Sequence, residues 1–393
     1  MYVVKKVQDF NININTNNIN IYVIIIIGDN MHIKYLQLKN FRNYNELFIE
    51  LNEGTNLFVG DNAQGKTNIL EAIYYCSLAK SHRTNRDKEL INWNGADAYI
   101  KVYVCKTRLD KKIEIKIFKE GKKGININSI KVQKLSELVG SFNVIMFSPE
   151  DLNIVKESPS YRRKFLDIEL CKLNSHYYYC LTQYKKSLNE RNLAIKKWNT
   201  NLDIIDVYDK QLSEFGATII KERVAYIENL NNKGKKIHSD ITSKSEDIEI
   251  KYLTPIKELD NIQEKLYSLL CKNRKRDIES KTTSIGPHRD DFSIDINGID
   301  ARIFGSQGQQ RTVVLTIKFG ALAIIKELTG EYPVLLLDDV LSELDTKRQE
   351  YILNSIKGVQ TLITCTGIND IKKHLNPESK IFEVMSGELK EII

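Results

Sequence analysis

The 393-residue chain has no Cys-x-x-Cys pair, no long apolar run and no internal repeat, and each absence narrows what it can be. Its cysteines (Cys76, Cys105, Cys171, Cys180, Cys271 and Cys365) are scattered. That argues against structural zinc or a disulfide framework, and for a reducing compartment such as the cytoplasm. The run Ile21–Ile27 falls well short of the ~20 residues that span a bilayer. No small-residue cleavage site follows it, so neither a membrane span nor a signal peptide is expected. What is present is ordinary: 42% apolar and 28% charged residues, the balance of a soluble globular protein long enough for two or three domains. The net charge of +7 suits a polyanionic partner without establishing one.

Residues 1–30 stand apart, half of them being Asn or Ile. Three readings compete: a β-prone arm, a disordered extension, or a start assigned upstream of Met31. The pattern of a folded unit begins at Met31. From there the segments "HIKYLQLKNF" and "NELFIELNEG" read as short strands, and "TNLFVG" as a strand ending at Gly60. "KTNILEAIYYCSLAK" has helical spacing, while "AYIKVYVC" and "KKIEIKIF" alternate with period two, as antiparallel strands do. Residues 158–280 are long, charged and helical in period. Strand patterns return in "DFSIDING", "YPVLLLDDV", "TLITCT" and "KIFEVMSGEL". The chain thus leaves a strand-rich α/β unit (31–157), runs through a helical insertion (158–280) and comes back (281–393).

Three motifs carry chemistry. Gly60-Asp61-Asn62-Ala63-Gln64-Gly65-Lys66-Thr67 lies between the strand and the helix and matches Gly-x-x-x-x-Gly-Lys-[Ser/Thr]. Glycines let backbone N–H groups close around phosphate oxygens at a helix N-terminus, Lys66 would reach the β/γ-phosphates and Thr67 would ligate Mg²⁺. The apolar run Val334–Leu337 ends in Asp338-Asp339; the first is the candidate Mg²⁺ residue and the second the candidate base. An Asp at a strand end is common on its own; beside a phosphate loop it gains meaning. Ser306-Gln307-Gly308-Gln309 precedes a strongly apolar helix and offers a second anion site, although a polar cap on a core helix would look the same.

The order of these motifs resembles that of ABC-type ATPases, and the long gap between loop and signature turn resembles the branch in which an insertion splits the ATPase head. Within it, the chain is similar to the RecF family over 31–393. The resemblance rests on "LKNFRNY" (38–44), "GDNAQGKTNILEAIYYCSLAKSHRT" (60–84), "FSPEDLNIVKESPSYRRKFLD" (147–167), "GPHRDDF" (286–292), "GSQGQQRT" (305–312) and "LLLDDVLSELD" (335–345). It implies a cytoplasmic, ATP-dependent DNA-binding protein of recombinational repair and replication restart. Such proteins act with RecO and RecR to load RecA at single-strand gaps and support the SOS response. It also implies a homodimer in which each ATP lies between one copy's phosphate loop and the other's signature turn.

One departure from the wider ABC pattern bears on rate. After the last core strand, "TLITCTGIND" has no His, and Thr364 or Thr366 stands in the neighbourhood. With Asp339 in place of Glu, slow hydrolysis is expected, with ATP acting as a dimer latch. Candidate DNA contacts are Arg162-Arg163-Lys164, Lys272-Arg274-Lys275-Arg276 with Lys281, and Lys119-Lys122-Lys123; solvated charge explains each equally well. His82-Arg83 and His288-Arg289 fit either the nucleotide pocket or packing, and Tyr177–Tyr179 fits helix packing better than base stacking. An SMC-like tether needs a far longer heptad run than 158–280 offers. A transporter ATPase subunit lacks any membrane-facing cue here.

Overall fold

The computed structural model describes residues 31–197, 201–367 and 379–392. The segment 1–30, and with it the three readings of that segment, lies outside the described residues. Strands β1 (His32–Phe41) and β2 (Tyr44–Glu50) pair antiparallel, and β3 (Thr55–Val59) leads through the 60–65 loop into α1 (Lys66–Leu78). Next come β4 (Asp97–Cys105), β5 (Lys111–Phe118), β6 (Lys123–Ile127) and β7 (Ile130–Lys131), which complete an antiparallel sheet in the order β2-β1-β4-β5-β6-β7. The period-two pattern explains its one-sided burial: Ala98, Ile100, Val102 and Val104 of β4 face the core, as do Ile113, Ile115 and Ile117 of β5.

A second sheet carries the loop. The short helix α2 (Leu135–Leu138) precedes β8 (Val144–Phe147). Much later in the chain come β12 (Val334–Asp338), β13 (Thr361–Cys365), β14 (Lys380–Met385) and β15 (Glu388–Glu391). The order is β15-β14-β3-β13-β12-β8, parallel throughout except for the edge strand β15. Its central strands are buried on both faces, which is why they read as unbroken apolar runs. Alternate side chains serve different cores. Val334 and Leu336 pack with α1 and the antiparallel sheet, whereas Leu335 and Leu337 pack with the helices of the insertion.

Helix α3 (Asn153–Lys156) precedes the insertion, whose helices are α4 (Pro159–Leu173), α5 (Ser175–Ile195), the 40-residue α6 (Leu202–Ile241) and α7 (Ile262–Ser280). Helix α6 packs against α5, α7 and a later helix, α9 (Gln307–Thr329). One strand interrupts the helical stretch 158–280: β9 (Ile248–Leu253) pairs with β10 (Asp291–Ile296), which in turn pairs with β11 (Ile299–Asp300). Ile248 and Ile250 alternate inward there, a pattern too short to stand out among charged helices. The one-turn helix α8 (Ala301–Phe304) and α10 (Thr346–Ser355) complete the described elements named here. Among the described residues, no helix is long and apolar enough to cross a membrane.

Candidate nucleotide-binding site

The parallel sheet delivers three strand ends to one place. In register, Val59 at the end of β3 lies opposite Cys365 of β13, and Thr364 of β13 lies opposite Asp338 of β12. The loop 60–67 leaves β3 beside both. Two of its glycines are required by close approach: a Cβ on Gly60 would sit 2.3 Å from the Val384 carbonyl oxygen, and one on Gly65 would sit 2.5 Å from Asn43 Nδ2. Gly65 and Ala63 also have positive φ, 116° and 64°. The loop is pinned from outside as well. Asn43 Nδ2 donates to the Gln64 carbonyl at 2.8 Å, Tyr44 Oη donates to the Gly65 carbonyl at 3.1 Å, and the Ser386 amide donates to Gln64 Oε1 at 2.6 Å.

The side chain of Lys66 is 3% exposed and turns into the loop, donating to the carbonyls of Gly60 (2.7 Å) and Asp61 (2.9 Å). Thr67, one residue into α1, donates its hydroxyl to Asp338 Oδ1 at 2.9 Å. Thr364 donates to the same oxygen at 2.9 Å and accepts the Asp339 amide at 2.9 Å. Burial pushes the Asp338 carboxyl above its ordinary range; the two hydroxyls oppose that shift, and the charges of Asp339 and Glu150 add to it. Asp339 is half-buried with φ of 51°, a left-handed conformation held by the Thr364 contact and by Ser342, whose hydroxyl donates to its carbonyl at 2.7 Å. Thr364, one of the two threonines in the neighbourhood where the wider pattern has a His, thus bridges the two aspartates.

Sequence reasoning missed the brace behind this loop. In the β1–β2 turn, Arg42 clamps Glu71 of α1 through two bonds of 2.9 and 2.8 Å. Ser81 donates to the same carboxylate at 2.5 Å, and Arg83 reaches it at 3.5 Å while bonding Asn68 at 3.0 Å. Burial alone would raise the Glu71 carboxyl, but bonds from Arg42 and Ser81 and the charge of Arg83 hold it below its ordinary value. Arg42 and Glu71 both lie inside quoted motifs, yet a pairing across 29 positions leaves no local signal.

The signature turn lies elsewhere in the chain. Ser306 caps α9: its hydroxyl accepts the Gln309 amide at 3.2 Å, and Gln309 Oε1 accepts the Ser306 amide at 2.9 Å. Gln309 Nε2 donates to Glu246 at 2.9 Å, and the Gly308 carbonyl accepts from Arg348 at 3.3 Å. Ser306 and Gln307 are exposed, and these bonds run to Glu246 and Arg348 rather than to residues 60–67. A Cβ on Gly308 would meet nothing closer than Arg348 Nη2 at 3.8 Å, so packing within the chain does not require a glycine there.

A family model for the RecF/RecN/SMC N-terminal domain matches residues 32–388. The chain is 64% identical to the DNA replication and repair protein RecF of Clostridium novyi, covering 92% of this chain and all of that one. It is 63% identical to the same protein of Clostridium kluyveri, again over 92% of this chain and all of the relative. The chain belongs to the RecF family. Among solved structures, the recombination mediator protein RecF with ATP superposes with a TM-score of 0.87 at 39% identity, covering 93% of this chain and 99% of that one. An Smc head domain from Pyrococcus furiosus superposes at 0.55 with 16% identity, over 92% of this chain and 96% of that one, a likeness of fold alone. The fold of this RecF-family chain is therefore the ABC-type ATPase head, mixed sheets around a phosphate loop with helices inserted.

The remaining sequence candidates divide. Arg162 is 3% exposed and clamps Asp291 at 2.7 and 2.9 Å, which is bracing, while Lys164 is exposed. Arg274 is tied to Asp209 at 2.6 Å and to Asp206; Lys272, Lys275, Arg276 and Lys281 stay exposed. Lys123 pairs with Asp87 at 2.9 Å, leaving Lys119 and Lys122 exposed. His288 bonds Tyr184 Oη at 2.7 Å and the Thr283 carbonyl at 3.0 Å, so it packs the helical segment, and burial brings its pKa down to about 4. Tyr177 is fully buried and donates to Asp167 at 2.8 Å, as helix packing requires.

Proposed function

We propose that this chain is a cytoplasmic, ATP-dependent DNA-binding protein of recombinational repair and replication restart. In this reading ATP gates a homodimer that holds single- and double-stranded DNA at gaps and, with RecO and RecR, helps load RecA and supports the SOS response. The observation that carries it is the separation of two anion sites. One, Gly60–Thr67, is complete and pinned within the chain; the other, Ser306–Gln309, is exposed at the start of α9. A nucleotide shared between two copies uses both.

Residues Gly60, Asp61, Asn62, Ala63, Gln64 and Gly65 would line the phosphates, with Lys66 releasing its carbonyl bonds to meet them. Among the described residues no three His, Cys, Asp or Glu side chains form a metal cage. Thr67 and Asp338 form a pair of oxygen ligands, a set that suits Mg²⁺ when phosphates and water supply the rest. Bound there, Mg²⁺ would neutralise phosphate charge. Asp339 would accept the proton of an attacking water, and Ser306, Gln307, Gly308 and Gln309 of a second copy would close on the γ-phosphate. Thr364 is occupied in bridging the aspartates, so it is a weak sensor of that phosphate. Slow, DNA-stimulated hydrolysis and a latch-like use of ATP follow. The head's two parts, 31–157 and 281–393, flank the insertion 158–280, whose exposed lysines and arginines are the candidate DNA contacts. Sedimentation with and without ATP on gapped duplex tests this reading. ATP should shift the protein to a dimer and tighten a salt-dependent complex; a monomer indifferent to ATP on DNA would refute it.

A further inference from the structure

A cavity of about 760 Å³ opens where α1 and the 80–87 strap face α4 and α5. Its walls include Tyr74, Leu78, Met146, Ile154, Phe165 and Leu181. Among these apolar groups lie two ion pairs. Lys172 donates to Glu169 Oε1 at 2.8 Å and to the Val144 carbonyl at 2.9 Å; Lys318 pairs with Asp151 at 2.6 Å and donates to the Met146 carbonyl at 2.8 Å. Both lysines are therefore satisfied. Other polar atoms of the same walls are not: Glu169 Oε2 and both ring nitrogens of His82 are buried without a hydrogen-bond partner. Glu169 is 4% exposed, and the His82 ring sits edge-on to Tyr74 at 5.4 Å.

Such unmet groups cost about 1–3 kcal/mol each when nothing satisfies them. Burial holds His82 below its ordinary pKa, so near neutral pH it presents one donor and one acceptor. Glu169 Oε2 offers a second acceptor. The rim has a different character. Lys80 and Lys164 are exposed, Lys185 pairs with Asp167 only at 3.3 Å, and the aromatic rings of Tyr161 and Tyr178 border the opening. An acyl chain would leave His82 and Glu169 unmet, and a simple anion would be repelled by the Glu169 carboxylate. A flat heteroaromatic ring with donors and acceptors on its edge, carrying phosphate, meets every demand, and the volume is in the range of small-molecule sites.

We propose that this cavity seats one nucleotide apart from the nucleotide at 60–67, its phosphate on Lys80 and Lys164 and its base turned in toward His82 and Glu169, whose buried polar atoms rotate into the cavity to meet it. Because Glu169 Oε2 needs a donor, bases whose projecting exocyclic amino group offers two N–H bonds fit better than thymine, whose one edge donor is its ring N3–H flanked by two carbonyl oxygens that the carboxylate repels. The inference rests on the reading above, in which exposed basic residues of 158–280 are the candidate DNA contacts, and deepens it by adding a pocket for a base. The nucleotide's source is either a single strand or free nucleotide.

Fluorescence anisotropy without ATP tests it on the full chain, using short oligomers of deoxyadenylate, deoxycytidylate and deoxythymidylate. The wild type should prefer the first two to the third. Lys80→Glu combined with Lys164→Glu should weaken binding about tenfold and flatten its salt dependence, with ATP affinity and the thermal melt unchanged. Glu169→Gln keeps an acceptor for Lys172 and should reduce the preference for amino-bearing bases. Photo-crosslinking with an iodinated deoxycytidine should label peptides carrying His82, Tyr161 or Tyr178. Competition by deoxyadenosine monophosphate would assign the site to free nucleotide as well, and its absence to the strand; both support the site. Unchanged affinity in the double variant, crosslinks confined to other peptides, or no base preference in the wild type would each overturn it. A wild type that binds oligomers as described but not ATP would instead overturn the reading of the 60–67 loop and leave this one standing.

Discussion

Two turns in this protein are proposed to meet phosphate, and the chain holds them differently. The 60–67 loop is held by the β1–β2 turn on one side and by the β14–β15 turn on the other, with glycines where a Cβ would strike Val384 or Asn43. The 306–309 turn is a capped helix start, exposed at Ser306 and Gln307, with room for a Cβ at Gly308. The first is determined by its own chain. The second has a glycine with no intrachain reason, which is what a surface shaped for another molecule looks like. A fixed half-site and an open half-site make association depend on the ligand between them.

The strongest way to break this comparison is Lys66→Ala. Removing the ammonium from the centre of the loop should lower nucleotide affinity by about a hundredfold or more, given the worth of a charge-assisted contact in a water-poor site. Fluorescent-nucleotide titration measures it, and affinity within a few fold of wild type would mean the loop is not the nucleotide site.

Next comes Ser306→Arg, which should separate binding from association. The monomer keeps the whole 60–67 loop, so mononucleotide affinity should stay near wild type. The bulky cation blocks close approach at the open turn, and ATP-dependent dimerisation should disappear from sedimentation profiles. A variant that still dimerises on adding ATP would place the second half-site elsewhere.

A pair of glycine substitutions sharpens the same contrast on a smaller scale. Gly65→Ala meets Asn43 and a φ of 116°, and should destabilise the fold by about 1–3 kcal/mol. Gly308→Ala has room within the chain and lies in the first turn of α9, so it should leave the melt unchanged or raise it slightly while weakening the dimer. Equal thermal losses in the two variants would erase the distinction drawn here.

Much of this architecture could be read before any coordinates. Val334–Leu337 announced a doubly buried strand because parallel strands covered on both faces lack polar interruptions. The loop was legible because phosphate binding needs particular residue types at fixed spacing. What escaped depends on pairings across long separations. Nothing near Arg42 marks Glu71 as its mate, and nothing near Ile250 marks Ile294 as its neighbour in the sheet. Arg162 shows the converse. Within Arg162-Arg163-Lys164 it resembles a DNA-facing charge, yet Asp291, 129 positions away, makes it a brace. Local chemistry carries local meaning, and a charge finds its role only through the residue it meets.

Outside both turns, in the 286–292 junction of the helical segment, a buried carboxyl sets a pH dependence. Burial lifts the Asp290 carboxyl from 3.8 to about 6, although Tyr252 donates to it at 2.8 Å and the charges of Arg223 and Arg163 act the other way. An acid whose pKa is raised by folding favours the fold while protonated. Its favourable contribution is complete below pH 3.8, is lost as the pH rises through about 6, and leaves a constant penalty above. A shift of this size corresponds to ~3 kcal/mol as an upper figure. Asp290→Asn keeps an acceptor for Tyr252 and removes the buried charge. It should therefore raise the melting temperature by a few degrees at pH 7.5, and the gain should shrink to about a third of that near pH 4.5 and vanish only below pH 3.8. Melts of both proteins across that range decide it. A variant that is less stable at pH 7.5 would show that Arg223 and Arg163 hold the carboxylate ionised, and that the junction depends on its charge.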